Sequence, residues 1–167
     1  MDSAGDPKRI VVERATASEQ HFVEVCEMLI ELHREGGYAP LNCDDAAADI
    51  YQVLREDMTF IARQELQPVG VLGLTQTAFW YNRQAGFLMN RWFYVRPDFR
   101  HGQVGIALLR AARAEGQARN QIVFVSVTTP DRRPKRSRTT LDAQIAGFVP
   151  LGYTLMLTNG PVEMPDG

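Results

Sequence analysis

Trp92-Phe93-Tyr94-Val95-Arg96-Pro97-Asp98-Phe99-Arg100-His101-Gly102-Gln103-Val104-Gly105-Ile106-Ala107-Leu108-Leu109 is the stretch that decides how this chain folds. An apolar, aromatic run suited to a strand gives way at Arg96-Pro97 to a basic, glycine-bearing loop. Small and branched apolar residues then open a helix. A strand that feeds a helix N-terminus in this way gathers free backbone N–H groups and the positive end of the helix dipole at one place. Diphosphate is the natural guest for such a site. Two other phosphate loops are excluded. No Lys-Ser or Lys-Thr follows Gly105, as a nucleoside triphosphate loop requires. The dinucleotide pattern of three spaced glycines near an N-terminal strand is also missing.

Outward from this run, the 167 residues read as one α/β unit without repeats. Residues 1–8 are expected to be a flexible leader, 9–160 the single domain, and 161–167 a tail. Residues 9–13 form a short strand. Thr16-Ala17-Ser18-Glu19 has capping-box spacing, and Phe22, Val25, Cys26, Leu29 and His33 then recur at helical intervals until Gly36-Gly37. Asp44 or Asp45 caps a second helix with Ala47, Ile50, Val53 and Leu54 on its inner face. Residues 58–63 and 69–77 are strands joined by a polar turn with Pro68, and a connection at 82–84 leads into a long strand over 86–95. Val104, Leu108, Ala111 and Ala112 stripe the third helix. Residues 122–127 read as a buried strand, followed by a short helix at 139–148 and a strand at 154–158. Phe79-Trp80-Tyr81 and Trp92-Phe93-Tyr94 fall on neighbouring strands and are expected to pair across them. Half of these aromatics read as core, the others as an acceptor groove or a homodimer face.

Bulk properties narrow the class. With 45% hydrophobic residues the chain is long enough for one real core. No apolar run approaches the roughly 18 residues of a membrane span. Cys26 and Cys43 are too few for a disulfide framework or a metal site, so no metal is expected and a reducing, cytoplasmic setting is. The charge is divided along the chain. Residues 17–57 carry ten acids against Arg34 and Arg55, whereas residues 82–140 carry twelve bases against Asp98, Glu115 and Asp131. An acidic front half suits a cationic amine, and a basic back half suits a phosphate-rich cofactor.

The opening run resembles motif A of the GNAT superfamily of acyl-CoA-dependent N-acyltransferases, Q/R-x-x-G-x-G/A. Arg100 stands at the first position, Gly105 at the last and Gln103 where the middle glycine belongs, with Gly102 one residue earlier to relieve the turn. Ala146-Gly147-Phe148-Val149-Pro150-Leu151-Gly152-Tyr153 is similar to the family's motif B. The resemblance implies a mixed, twisted β-sheet with helices on both faces and splayed fourth and fifth strands. It implies acetyl-CoA as co-substrate, with Phe93, Tyr94 and Val95 pairing with pantetheine. Arg100, His101, Gly102, Gln103, Val104 and Gly105 would hold the diphosphate.

The reaction implied is direct attack of a primary amine on the thioester in a ternary complex, without a covalent enzyme intermediate. Relatives often carry a glutamate base on the fourth strand, on the face shared with Val95; those positions here are Met89 and Arg91. Phe148 stands where the leaving-group tyrosine is common. His33 and Glu35, at the end of the first helix, are the substitute catalytic candidates, and Arg91 and Tyr38 the acceptor-binding ones. Two alternatives stand beside this reading. One is a catalytically impaired domain that binds acyl-CoA as a sensor or assembly partner. The other is a nucleic-acid-associated protein using the five bases between Arg132 and Arg138.

Overall fold

Five strands make one sheet in the order β1-β2-β3-β4-β5. They are β1 (Ile10–Arg14), β2 (Met58–Gln64), β3 (Gln67–Phe79), β4 (Asn82–Val95) and β5 (Ile122–Phe124). This computed structural model describes residues 9–36, 39–100, 102–126 and 138–149. Expectations for the leader 1–8, for Tyr38 and His101, for the basic residues 132–137, for motif B from Pro150 onward, for the strand at 154–158 and for the tail lie outside the described residues. Neighbouring strands run antiparallel except β4 and β5, which are parallel. A parallel pair needs a crossover, and the helix α3 (Val104–Arg119) supplies it.

The sheet separates two apolar cores. On one face α3 packs Val104, Leu108 and Ala112 against Phe60, Leu72, Leu74 and Leu88. On the other, α1 (Glu19–Gly36) and α2 (Cys43–Glu56) bury Val25, Met28, Ile50, Val53 and Leu54 against Ile61, Val71 and Trp92. α3 also buries Gly105, Ile106 and Leu109, beyond the single stripe expected of it, because α4 (Arg138–Ile145) lies over its outer side.

Several local expectations are corrected. Ser18 rather than Thr16 caps α1, accepting from His21 N at 3.3 Å, while Thr16 bonds the His21 ring. Asn42 rather than Asp44 or Asp45 caps α2, accepting from both of their amides. The two aspartates instead place charge at the positive end of the helix dipole. β3 and β4 are longer than expected and meet in a tight hairpin at Trp80-Tyr81, with no connection at 82–84. Phe79 therefore faces Asn82, and the two aromatic triplets lie at opposite ends of the hairpin rather than across from each other. β5 is only three residues long, and Ile122 is 58% exposed. Gly147, at φ +91, closes the C-terminal end after α4. The amide of Phe148 bonds Ala143 O and that of Gly147 bonds Gln144 O, a Schellman arrangement.

The acids of the front half hold the helices to the sheet. Arg63 donates to Glu13 at 2.6 Å and to both oxygens of Glu24, at 2.6 and 3.1 Å. Burial opposes ionisation of Glu24, but the Arg63 hydrogen bonds outweigh it and hold the carboxyl below its ordinary range. Such a group adds stability above its unfolded-state pKa and loses it as pH falls through the folded one. Arg63→Met should therefore cost about 2 kcal/mol at pH 7, since it strands two carboxylates. The gap in melting temperature from the parent should close as the pH is lowered toward 3; a gap independent of pH would show that the pair contributes packing alone.

Candidate functional site

β4 and β5 part company after a short ladder. Their parallel pairing covers only Phe87–Met89 and Ile122–Phe124. The next residue of β4, Asn90, spans the widening gap with its side chain: Nδ2 donates to Ser126 O at 2.8 Å, and Oδ1 accepts from Ser126 N at 2.6 Å. Beyond it, toward Val95, this edge of β4 has no strand partner among the described residues. β4 carries a bulge at the same place. Gly73 and Leu74 of β3 face Trp92 and Asn90, so Arg91 is the extra residue. The bulge reverses the alternation of side chains. Phe93 and Val95 lie on the α3 face, whereas Trp92 and Tyr94 lie under α1 and α2. Counting faces by strict alternation through this strand thus misplaces Met89, which does not share a face with Val95.

The loop from Val95 to α3 begins with a 3-10 turn, Pro97–Phe99, and ends at Gln103, the residue that opens α3. Gln103 sits at φ −86, ψ −3, and its side chain makes no capping bond. The first helical hydrogen bond joins Ala107 N to Gln103 O, which leaves the earlier amides of the turn without helix partners. Gln103 needs no positive φ, so a glycine at this position would relieve no strain. Gly102 is exposed, and a Cβ there would meet only Phe99 O at 3.5 Å; it relieves no turn either. Gly105 faces inward, toward Phe93 and Asp142 of α4.

Most of the ionic candidates are engaged with each other. The Arg100 guanidinium donates to Val95 O at 2.8 Å, pairs with Glu35 at 2.6 Å and lies 5.4 Å above the Tyr94 ring. Tyr94 donates its hydroxyl to Glu35 at 2.9 Å and lies 3.2 Å from Glu31, which Arg96 pairs at 3.1 Å. Burial first, and the two carboxylates second, push the Tyr94 phenol far above its ordinary range. Tyr94 is therefore a fixed donor. His33 Nε2 lies 2.8 Å from Ala39 O and ties the end of α1 to the following loop. Arg91 forks onto Asp49 of α2, Nε to Oδ2 at 3.1 Å and Nη2 to Oδ1 at 2.6 Å, and that pairing raises its already high pKa.

Between α1 and α2 lies a cleft of about 140 Å³. Cys26, Leu29, Ile30 and Leu41 form part of its lining, together with Asp49 and Trp92. Cys26 is half-buried there rather than sealed in the core, and burial raises its thiol pKa. Asn90 and Asp49 escape sequence reasoning, and Trp92 is legible only as one of the aromatics divided between core and groove. A polar residue inside an apolar strand was the one signal available, at Asn90. Among the described residues no helix is long and apolar enough to cross a membrane, and no group of three His, Cys, Asp or Glu residues could hold a metal ion.

No protein-family model matches the sequence, and no curated protein matches it. Solved structures do. The aminoglycoside N-acetyltransferase AAC(6′)-Iy, in complex with the bisubstrate analogue CoA-S-monomethyl-acetylneamine, superposes with a TM-score of 0.67. It is 17% identical, over 92% of this chain and 100% of that one. A predicted acetyltransferase from Clostridium acetobutylicum with acetyl-CoA gives 0.67 at 13% identity, covering 90% and 96%. An aminoglycoside acetyltransferase from an uncultured soil metagenomic sample, in complex with sisomicin, gives 0.60 at 16%, covering 88% and 97%. The chain has the GNAT fold. The expected architecture thus holds: a mixed sheet, helices on both faces, and divergence of the fourth and fifth strands. In this GNAT fold the divergence at Asn90, the Arg91 bulge and the open turn of α3 fall along one path, from the middle of β4 to the end of the following loop.

Proposed function

We propose that this chain is an N-acetyltransferase that moves the acetyl group of acetyl-CoA to a primary amine. The observation that carries the reading is the gap between β4 and β5, which opens at Asn90 and leads to the uncapped first turn of α3. An extended pantetheine adds to a free strand edge such as that of residues 93–95 through its amide groups. The first-turn amides of α3, at Gln103, Val104 and Gly105, then face the diphosphate. Arg100 braces the strand end through Val95 O and Glu35.

The amine nitrogen attacks the thioester carbonyl carbon, a C–N bond forms, and the C–S bond breaks to release CoA thiolate. A backbone N–H of β4 at the bulge stabilises the tetrahedral oxyanion. Glu35 and His33 are held by Arg100, Tyr94 and Ala39, so the ammonium proton leaves to water. The thiolate needs little acid assistance, because a thiol is a far stronger acid than an alcohol. Phe148 in place of a tyrosine is compatible with that chemistry.

Calorimetric titration with acetyl-CoA tests the first half, with one site in the micromolar range expected. Release of free thiol from acetyl-CoA on addition of primary amines tests the second, with a rate that climbs as pH approaches the amine's own pKa. A folded protein that binds no acetyl-CoA overturns the reading. Binding without turnover on any amine points instead to an acyl-CoA sensor, which the pairing of Glu35 and Arg91 with protein groups favours.

A further inference from the structure

This inference rests on the acetyl-transfer reading and concerns the acceptor. The cleft between α1 and α2 is bounded by Trp92, the residue that follows the Arg91 bulge, so it adjoins the point where the thioester would lie. Its volume, about 140 Å³, is close to that of a cavity that admits a benzene ring, about 150 Å³. Its lining is apolar, and the single carboxylate in it, Asp49, has both oxygens occupied by Arg91.

A second surface agrees. Across Arg91 from Trp92, on the same face of the sheet, Phe79, Phe87 and Phe124 form a half-buried cluster. Their ring centroids lie 4.6, 5.1 and 6.5 Å apart, and Met89 lies beside them in register. Both flanks of the bulge are therefore apolar.

Charge sets the remaining requirement. α1 and α2 carry nine carboxylates against Arg34 and Arg55. Glu24, Glu31, Glu35 and Asp49 are paired to arginines of the sheet and loop. The other five, Glu19, Glu27, Asp44, Asp45 and Glu56, are not among the residues that line the cleft. They supply a negative field that draws in a cation, whereas a polyhydroxylated polycation would need free carboxylates in the lining itself. We propose that the acceptor is a primary amine on an apolar, ring-sized body that seats in the α1–α2 cleft. In the transfer its nitrogen bonds the acetyl carbon, CoA leaves as thiolate, and the ammonium proton passes to water.

The test compares thiol release with 2-phenylethylamine, ethylamine and sisomicin. We expect kcat/KM for 2-phenylethylamine to exceed that for either of the others at least tenfold. In 15N-labelled protein, 2-phenylethylamine should shift the indole N–H resonance of Trp92 and leave that of Trp80 in place. Ala47→Phe, which fills the cleft, should raise KM for this amine at least tenfold while the acetyl-CoA Kd holds. Leu41→Asp, on the exposed rim, should do the same without any demand on the core. Sisomicin turned over as well as 2-phenylethylamine, or an unmoved Trp92 resonance, overturns the assignment. The separate acetyl-CoA titration tells the two failures apart. A protein that binds acetyl-CoA yet prefers sisomicin loses only the acceptor assignment, whereas one that binds no acetyl-CoA loses the reaction as well.

Discussion

Gln103→Asp should weaken acetyl-CoA binding by 30- to 100-fold while leaving the protein at least as stable as the parent. The two effects have opposite signs for one physical reason. The first turn of α3 is open: Gln103 makes no side-chain cap, and the earliest helical bond runs from Ala107 N to Gln103 O. A carboxylate placed there meets unsatisfied N–H groups and the positive end of the dipole, which favours the folded helix by about 0.3–1 kcal/mol. The same carboxylate occupies the field that a diphosphate needs and repels its charge. Losing one or two charge-assisted hydrogen bonds, each about 1.5–3 kcal/mol, accounts for the expected fold-change. Calorimetry and a thermal melt on one preparation give both numbers. Unchanged affinity would place the diphosphate elsewhere. Affinity and melting temperature falling together would mean that the substitution had damaged the fold. Gly105 makes a poorer probe, because it packs inward against Phe93 and Asp142, where a large side chain disrupts α3 before it meets any ligand.

How far the molecule was legible in its sequence depends on the range of the interaction. The strand, loop and helix around Arg96–Leu109 were legible because their signals are local: an apolar run, a proline, glycines and a small-residue stripe. The caps were legible in kind but not in place. Ser18 and Asn42 cap where Thr16 and Asp44 or Asp45 also have the chemistry, and residue type does not separate positions one or two apart. The Arg91 bulge left no mark in its own strand, since no glycine or proline lies beside Arg91; the glycine at the shift, Gly73, is on β3. Every face assignment carried through that strand by alternation was consequently lost.

Long-range pairing was hidden altogether. Glu31, Glu35 and Asp49 meet their arginines across separations of 42 to 65 residues. A charge-divided chain reads as two binding surfaces, yet four of the ten front-half acids, Glu24, Glu31, Glu35 and Asp49, bind their helices to arginines of the sheet and loop. Asn90 was the sharpest omission. A polar residue inside an aromatic strand is conspicuous, but its task, holding both backbone groups of Ser126, exists only once β5 has been placed.

Gly73→Ala should destabilise the protein by about 3 kcal/mol, because this glycine exists to make room for Trp92. The two residues face each other in register on β3 and β4. A Cβ on Gly73 would collide with both Cε2 and Nε1 of the indole. The ring can yield only toward the α1–α2 cleft, and doing so breaks its packing. It is 7% exposed and is packed among Val25, Met28, Ile50 and Val71. For a domain of this size the cost should appear as a fall of about 6–12 °C in melting temperature. Trp92→Leu alone removes buried surface and should cost about 2–3 kcal/mol. The double variant should lose clearly less than the sum, because the methyl group then has nothing to strike. Gly105→Ala is the control: its Cβ would lie 3.4 and 3.7 Å from its nearest neighbours, ordinary contacts, and should move stability by less than about 0.5 kcal/mol. The cost at Gly73 also bears on the acceptor, since Trp92 is the wall that the α1–α2 cleft shares with the sheet. A Gly73→Ala protein that still folds at low temperature should bind 2-phenylethylamine poorly and acetyl-CoA normally. Parent-like melting of Gly73→Ala would mean that the indole does not lie on β3 and that the cleft lacks the wall described for it.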